Sequence, residues 1–292
     1  MDARQRSDLA GIGWMVLTGV LFVAFNASVK TFGQGMPAAQ SAFIRFAFGL
    51  IFVAPVLPRI LRDGLPKGTM PLFVLRAGLH VVGIILWFYA MTRIPLAEVT
   101  AINFLNPIAA TLGAVLFLRE PLSLPRALAI LVALGGALLI LRPGVRGLDL
   151  GHLAQVSSSL LVGLSYLVAR RLAQNVPAEV VVAMMTVTVA IGLAPLAAAV
   201  WVPIGWGQVA GLALAALFAT AGHYTMTRAF AVAPMAVTQP VTFLQLIWAS
   251  LLGVTLFHEP MDPMVLLGGA IIIAAISFIT WREARASQRR SQ

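Results

Sequence analysis

Apolar residues run through this chain in long blocks, without the alternation of strands or the one-sided stripe of a surface helix. Ten blocks approach or exceed the roughly 20 residues a helix needs to cross a hydrocarbon core of ~30 Å. They lie near 9–31, 38–58, 70–92, 96–118, 123–142, 150–171, 178–202, 207–230, 234–257 and 261–281. Turn formers separate them, as in Gly33-Gln34-Gly35-Met36-Pro37, Asp63-Gly64-Leu65-Pro66-Lys67-Gly68 and Arg142-Pro143-Gly144. Lipid offers no water to backbone N–H and C=O groups, so spans of this length must be helices and not barrel strands. The pattern predicts an all-α integral membrane protein with ten transmembrane helices and loops too short for a soluble domain.

The pattern also occurs twice. Pro95–Pro121 matches Pro234–Pro260 at a spacing of 139, sharing Ala97/Ala236, Phe104/Phe243, Leu105/Leu244, Leu112/Leu251, Val115/Val254, Glu120/Glu259 and both end prolines. At a spacing of 140, Gly11/Gly151, Leu21/Leu161, Pro37/Pro177, Ala54/Ala194 and Pro55/Pro195 coincide. Each repeat therefore holds five spans, 9–142 and 150–281, with a basic tail at 282–292. Five is odd, so the second repeat enters the membrane from the opposite face. Two inverted five-helix repeats typically place a solute site at their interface and support alternating access.

Composition narrows the class further. The chain is 60% hydrophobic and 10% charged, against about 25% charged in soluble domains, and its mean hydropathy is +0.94. The net charge of +10 does not point to nucleic acid, because the cations sit at the ends of apolar blocks. Counting Arg76, fifteen Lys and Arg residues fall on the side of the termini and four (Lys30, Arg93, Arg142, Arg146) on the other, with Arg45 inside a span. That bias places both termini in the cytoplasm. Cysteine is absent, which removes disulfides and thiolate metal sites; no metal or cofactor is expected, and a monomer in contact with lipid is the expected state.

Few polar residues lie deep in the spans. Asn103 and Asn106 are three apart, on one face of a helix, and their repeat mates Thr242 and Gln245 keep that spacing. Arg76, His80 and Trp87 run up the third span; His223 and Thr227 run along the eighth. Asn26 mates with Tyr166, and both are candidate cavity residues, while Lys30 and its mate Arg170 suit snorkelling helix ends. The candidate solute contacts are therefore Asn26, His80, Trp87, Asn103, Asn106, Tyr166, His223, Thr227, Thr242 and Gln245. Arg45 needs a partner inside the membrane, and Glu98 on the same side is the expected one.

Asn26-Ala27-Ser28-Val29-Lys30, Ile44-Arg45-Phe46 and the track Ala90…Pro107…Arg119-Glu120-Pro121…Gly135-Gly136 resemble the EamA-type drug/metabolite transporters over nearly the whole chain. The resemblance implies a ten-helix basket in the bacterial inner membrane whose first, third, fourth, sixth, eighth and ninth helices line a central cavity. It also implies export of amino acids, aromatic and other neutral ones, and of related metabolites. The second copy departs from the pattern, with Leu246 in place of Pro107 and Ala274-Ala275 in place of Gly135-Gly136.

Rival classes fare worse. An enzyme would need a nucleophile–base set or metal ligands, and Gly163-Leu164-Ser165-Tyr166-Leu167 lacks the closing glycine of a nucleophile elbow. A channel would need a ring or filter that this repeat does not supply. Carriage of nucleotide sugars would need permanent cations in the cavity, of which the sequence shows one, Arg45; cationic drugs remain a further alternative class. No acidic residue sits at the centre of a span, and His80 and His223 lack a carboxylate neighbour in sequence, so a facilitator is expected over a proton-coupled carrier. The topology is open to test, because no native thiol interferes. Cysteines replacing Ser7, Ser123 and Ser287 should react with an impermeant reagent only from the cytoplasmic side, and Gly35→Cys only from outside. Labelling of Gly35→Cys from the cytoplasm would overturn the inverted arrangement.

Overall fold

The computed structural model describes residues 3–119, 123–145, 147–172, 175–233 and 238–290. The principal helices are α1 (Ala3–Phe32), α2 (Ala38–Val53), α4 (Met70–Met91), α5 (Leu96–Asn103), α6 (Asn106–Leu118), α7 (Leu124–Leu141), α8 (Leu150–Leu172), α9 (Ala178–Ala199), α10 (Trp206–Val232), α11 (Phe243–Phe257) and α12 (Pro263–Arg290), with a short α3 (Leu57–Asp63) following α2. Among the described residues, nine apolar helical segments are long enough to cross a membrane, and α11 is a shorter tenth. Part of the expected ninth span, 234–237, falls outside the described residues. The 282–292 segment expected as a tail begins as helix, α12 continuing to Arg290.

Proline sets the internal breaks. Pro107 has no N–H to donate and its ring clashes with the carbonyl four residues earlier, that of Asn103. The fourth span accordingly divides there into α5 and α6, with Pro107 in the first turn of α6, where its missing N–H costs nothing. The expectation that Asn103 and Asn106 share one continuous helical face is thereby corrected. The second repeat has Leu246 at the matching place and stays helical; its irregularity is a 3₁₀ turn at Gln239–Thr242, around Pro240. Both repeats are broken in this region, at different positions.

The ends of these helices are alike. α6 closes on Arg119 (φ 55°) with its N–H bonded to Ala114 O, and α11 closes on His258 (φ 54°) bonded to Gly253 O. These pairs are repeat mates. So are Pro37 (φ −57°, ψ 139°) and Pro177 (φ −54°, ψ 142°), which lead into α2 and α9.

Packing follows the same symmetry. α1 lies along α10, and its mate α8 lies along α4, the mate of α10. α2 packs on α9 and α7 on α12, so each of these helices meets its own mate; α5 packs on α11, and α6 rests on α8 as its mate α11 rests on α1. The principal contacts thus join one repeat to the other about an approximate two-fold axis. Small residues allow the close approaches, because lipid supplies no hydrophobic force between helices. A Cβ on Gly83 of α4 would stand 2.9 Å from Val162 of α8, and one on the mate Gly222 of α10 would stand 3.0 Å from Phe22 of α1. Gly136 of α7 and Gly268 of α12 meet backbone to side in the same way. Outside this packing, residues such as Leu128, Leu131, Leu153 and Ile191 are more than half exposed, an apolar belt suited to lipid chains.

Candidate functional site

Charge is handled differently at the end of the bundle opposite the termini and in its middle. At that end, Lys30 Nζ lies 2.6 Å from Glu259 Oε1, both side chains largely buried. Lys30 also donates to the carbonyl of Ile94 at 2.8 Å, and Glu259 Oε2 accepts the Leu96 N–H at 2.8 Å. One carboxylate therefore satisfies a lysine from α1 and an otherwise orphaned N–H at the start of α5. Gly253 leaves it room, since a Cβ there would stand 2.7 Å from Glu259 Oε2. Lys30 is thus an internal ion-pair partner and not the snorkelling end the sequence suggested. Its mate Arg170 has a side chain outside the described set, as is all of Glu120.

Nearby, Glu98 Oε2 is 2.7 Å from His152 Nε2, both buried, and Arg142 pairs with Asp262. The expected Arg45–Glu98 contact does not form. His152 was not among the expected residues: its helix begins only two residues earlier, and nothing in the local pattern marks it as facing α5.

The middle of the bundle is aromatic. Phe25 of α1 stacks on Trp87 of α4, with rings nearly parallel (3°) and centroids 5.2 Å apart. Phe22 of α1 meets His223 of α10 edge to face at 5.1 Å, and Phe46 of α2 meets His80 of α4 at 6.0 Å. Such pairs hold ring planes in fixed orientations. Arg45 places its guanidinium carbon 4.2 Å from the centre of Phe46 and 5.5 Å from that of Phe25, within cation–π range. Arg45 and Arg76 each lie within electrostatic reach of His80, Tyr166 and His223. Tyr166 is 42% exposed.

Several predicted site residues meet here, and others do not. Asn26 is only 8% exposed, and its amide makes no hydrogen bond with the described residues. His80 receives or donates one long contact, 3.4 Å to Ser165 Oγ. Trp87 is buried with a face covered by Phe25, a wall more than an open surface. Asn103 is committed elsewhere, its Oδ1 accepting from Gln155 Nε2 of α8 at 2.8 Å; Asn106 keeps a buried Oδ1 without a partner among the described residues. Thr242 and Gln245 sit at the junction of the 3₁₀ turn with α11, Gln245 and Trp248 lying over Gly19 of α1. Thr227 is in α10, but its side chain lies outside the described set.

Arg76 was counted with the charges on the side of the termini. It is 5% exposed, donating to Val181 O at 3.0 Å and reaching Met185 Sδ at 3.1 Å. Its position one turn before His80 was the available signal; the orientation rule counts charge and cannot tell a snorkelling arginine from one that folds inward.

The EamA-like transporter family model matches residues 9–142 and 149–281, nearly the repeat boundaries seen in the fold. The chain belongs to this family. The riboflavin transporter of Rhizobium johnstonii is 31% identical over 96% of this chain and 94% of its own length. The S-adenosylmethionine uptake transporter of Rickettsia conorii is 24% identical over 100% and 99%. A solved crystal structure shares the fold with a TM-score of 0.59 at 21% identity, covering 96% of this chain and 99% of its own. This EamA-family chain is therefore a multi-pass membrane transporter.

The ion pair at the end opposite the termini gives a measurable prediction. Lys30→Met should lower stability by about 3 kcal/mol, the usual cost of stranding one member of a buried pair, and Glu259→Gln should act similarly. The double variant should lose less than the sum, with a coupling of about 1–3 kcal/mol, read from unfolding of the purified protein in detergent. Strictly additive losses would show that the two groups do not act as a pair.

Proposed function

We propose that the chain moves small metabolites bearing a flat unsaturated ring across the bacterial inner membrane by alternating access, with aromatic amino acids as its principal class. The observation that carries this is the ring set at the repeat interface: Phe22 and Phe25 from α1, Phe46 from α2, His80 from α4 and His223 from α10. A planar solute can stack among these rings while Asn26, Tyr166 and Gln245 offer hydrogen bonds without net charge. Asn103, tied to Gln155, acts in this reading as a brace between the repeats. The Lys30–Glu259 tie closes the end opposite the termini and has to open when solute passes there.

Riboflavin is the second reading. Three relatives carry that name, and its ring system is flat and broad. S-adenosylmethionine fits less well, because its sulfonium would enter a region already holding Arg45 and Arg76. The same lack of a carboxylate in the middle supports facilitated movement along the solute's own gradient, since proton-coupled carriers usually keep an acid deep in the membrane.

Counterflow in proteoliposomes decides the class. Labelled phenylalanine, tryptophan and riboflavin should exchange faster than leucine, a nucleotide sugar or S-adenosylmethionine, with no imposed pH step. If leucine outpaces every ring-bearing solute, or if exchange requires a pH difference, the reading fails.

A further inference from the structure

Positive charge in the middle of this bundle has no negative counterpart. The guanidinium of Arg45 lies against two phenyl rings, and its Nε is buried without a hydrogen-bond partner among the described residues. Arg76 is also left with a buried, unpartnered Nε, although its other nitrogens are used by α9. The carboxylates whose side chains are described are engaged elsewhere: Glu98 with His152, Glu259 with Lys30, Asp262 with Arg142, Glu179 with Arg59, Asp63 with Arg62, and Asp149 with the Gly151 N–H.

A cation in a low-dielectric interior is retained when something neutralises it, and here the protein itself does not. Phe46 and Phe25 lie beside the guanidinium at 4.2 and 5.5 Å. Ring contacts accept none of its N–H donors, so these stay available to an oxyanion. Arg76, held by Val181 and Met185, adds positive potential but has fewer free donors. Tyr166, within electrostatic reach of Arg45 and unbonded among the described residues, adds a neutral donor.

We propose that Arg45 is the docking point for a single anionic group on the transported solute, a carboxylate or a phosphate monoester. The site then takes ring-bearing anions and amino-acid zwitterions in preference to neutral or cationic analogues with the same ring. This narrows the ring-bearing reading above and rests on it for the ring, but not for the charge. It also differs from what the sequence suggested, a neutral cavity with Arg45 tied to Glu98.

Binding to the purified, detergent-solubilised protein separates the two parts. Calorimetric titrations would pair phenylalanine with phenylalaninamide, leucine with leucinamide, and riboflavin 5′-phosphate with riboflavin, so that carboxylate and phosphate are tested independently. The anionic member of at least one ring-bearing pair should bind about tenfold tighter, and Arg45→Gln should erase that difference. Arg45→Lys should keep the preference at lower affinity, because it retains the charge and loses the planar fork; it serves if Arg45→Gln fails to fold. Equal binding within every pair, or a preference that survives Arg45→Gln, would overturn the anion site. Leucine binding as well as phenylalanine, with the charge preference intact, would instead remove the ring requirement and leave Arg45 in its role.

Discussion

Every polar group that this chain carries into the membrane must find its partner inside the protein, because lipid offers none. That constraint explains both how the bundle is tied and where it is left open. At the end opposite the termini, each described charge has a protein partner: Lys30 with Glu259, Glu98 with His152, Arg142 with Asp262. In the middle, Arg45, Asn26 and Asn106 are held in place by packing and left without a partner among the described residues. Unpartnered buried atoms occur at both levels, Arg142 Nε at the end and Arg45 Nε and Asn106 Oδ1 in the middle, and the proposed site rests on the middle ones, where no carboxylate stands among the described residues. In a member of a transporter family, the solute is the natural occupant.

Two-fold symmetry supplies the frame for this division, and departures from symmetry supply the site. Helix entries at Pro37 and Pro177, left-handed closures at Arg119 and His258, and glycine contacts at Gly83 and Gly222 recur almost unchanged in both repeats. Chemistry does not recur. Asn26 in α1 has Tyr166 as its mate in α8, and the Ile44-Arg45-Phe46 run of α2 has no counterpart in the second repeat. A shared scaffold thus carries unlike side chains at matching positions, and the proposed site draws on that difference.

The fold was legible in the sequence because its two controlling signals are strong. Apolar length fixes the spans, and the doubled Pro…Glu-Pro segment fixes the repeat; the break after Asn103 that Pro107 imposes escapes a reading that places Asn103 and Asn106 on one helical face. The site was legible only as a set of candidates. Periodicity brought His80, His223, Asn26 and Tyr166 forward, but it could not show that Asn103 turns toward Gln155 on a helix fifty residues away. Long side chains were read worst. Lys30 and Arg76 each span several ångströms, so the same sequence position serves a snorkelling end or a buried contact, and only the neighbours decide. Glu98 was expected to meet Arg45 because both lie toward one side; His152 is simply nearer in the folded chain.

The central claim is that the interior of the basket, between the two repeats, is a wet site that the solute occupies. Tyr166 tests it most directly, since its exposed ring faces either that site or lipid. In this cysteine-free chain, Tyr166→Cys should react with a water-soluble thiol reagent, and a saturating transported solute should slow the reaction, while Ile191→Cys on the apolar belt should remain unreactive. A Tyr166→Cys protein that behaves like Ile191→Cys, or that reacts at the same rate with and without solute, would contradict the placement of the site.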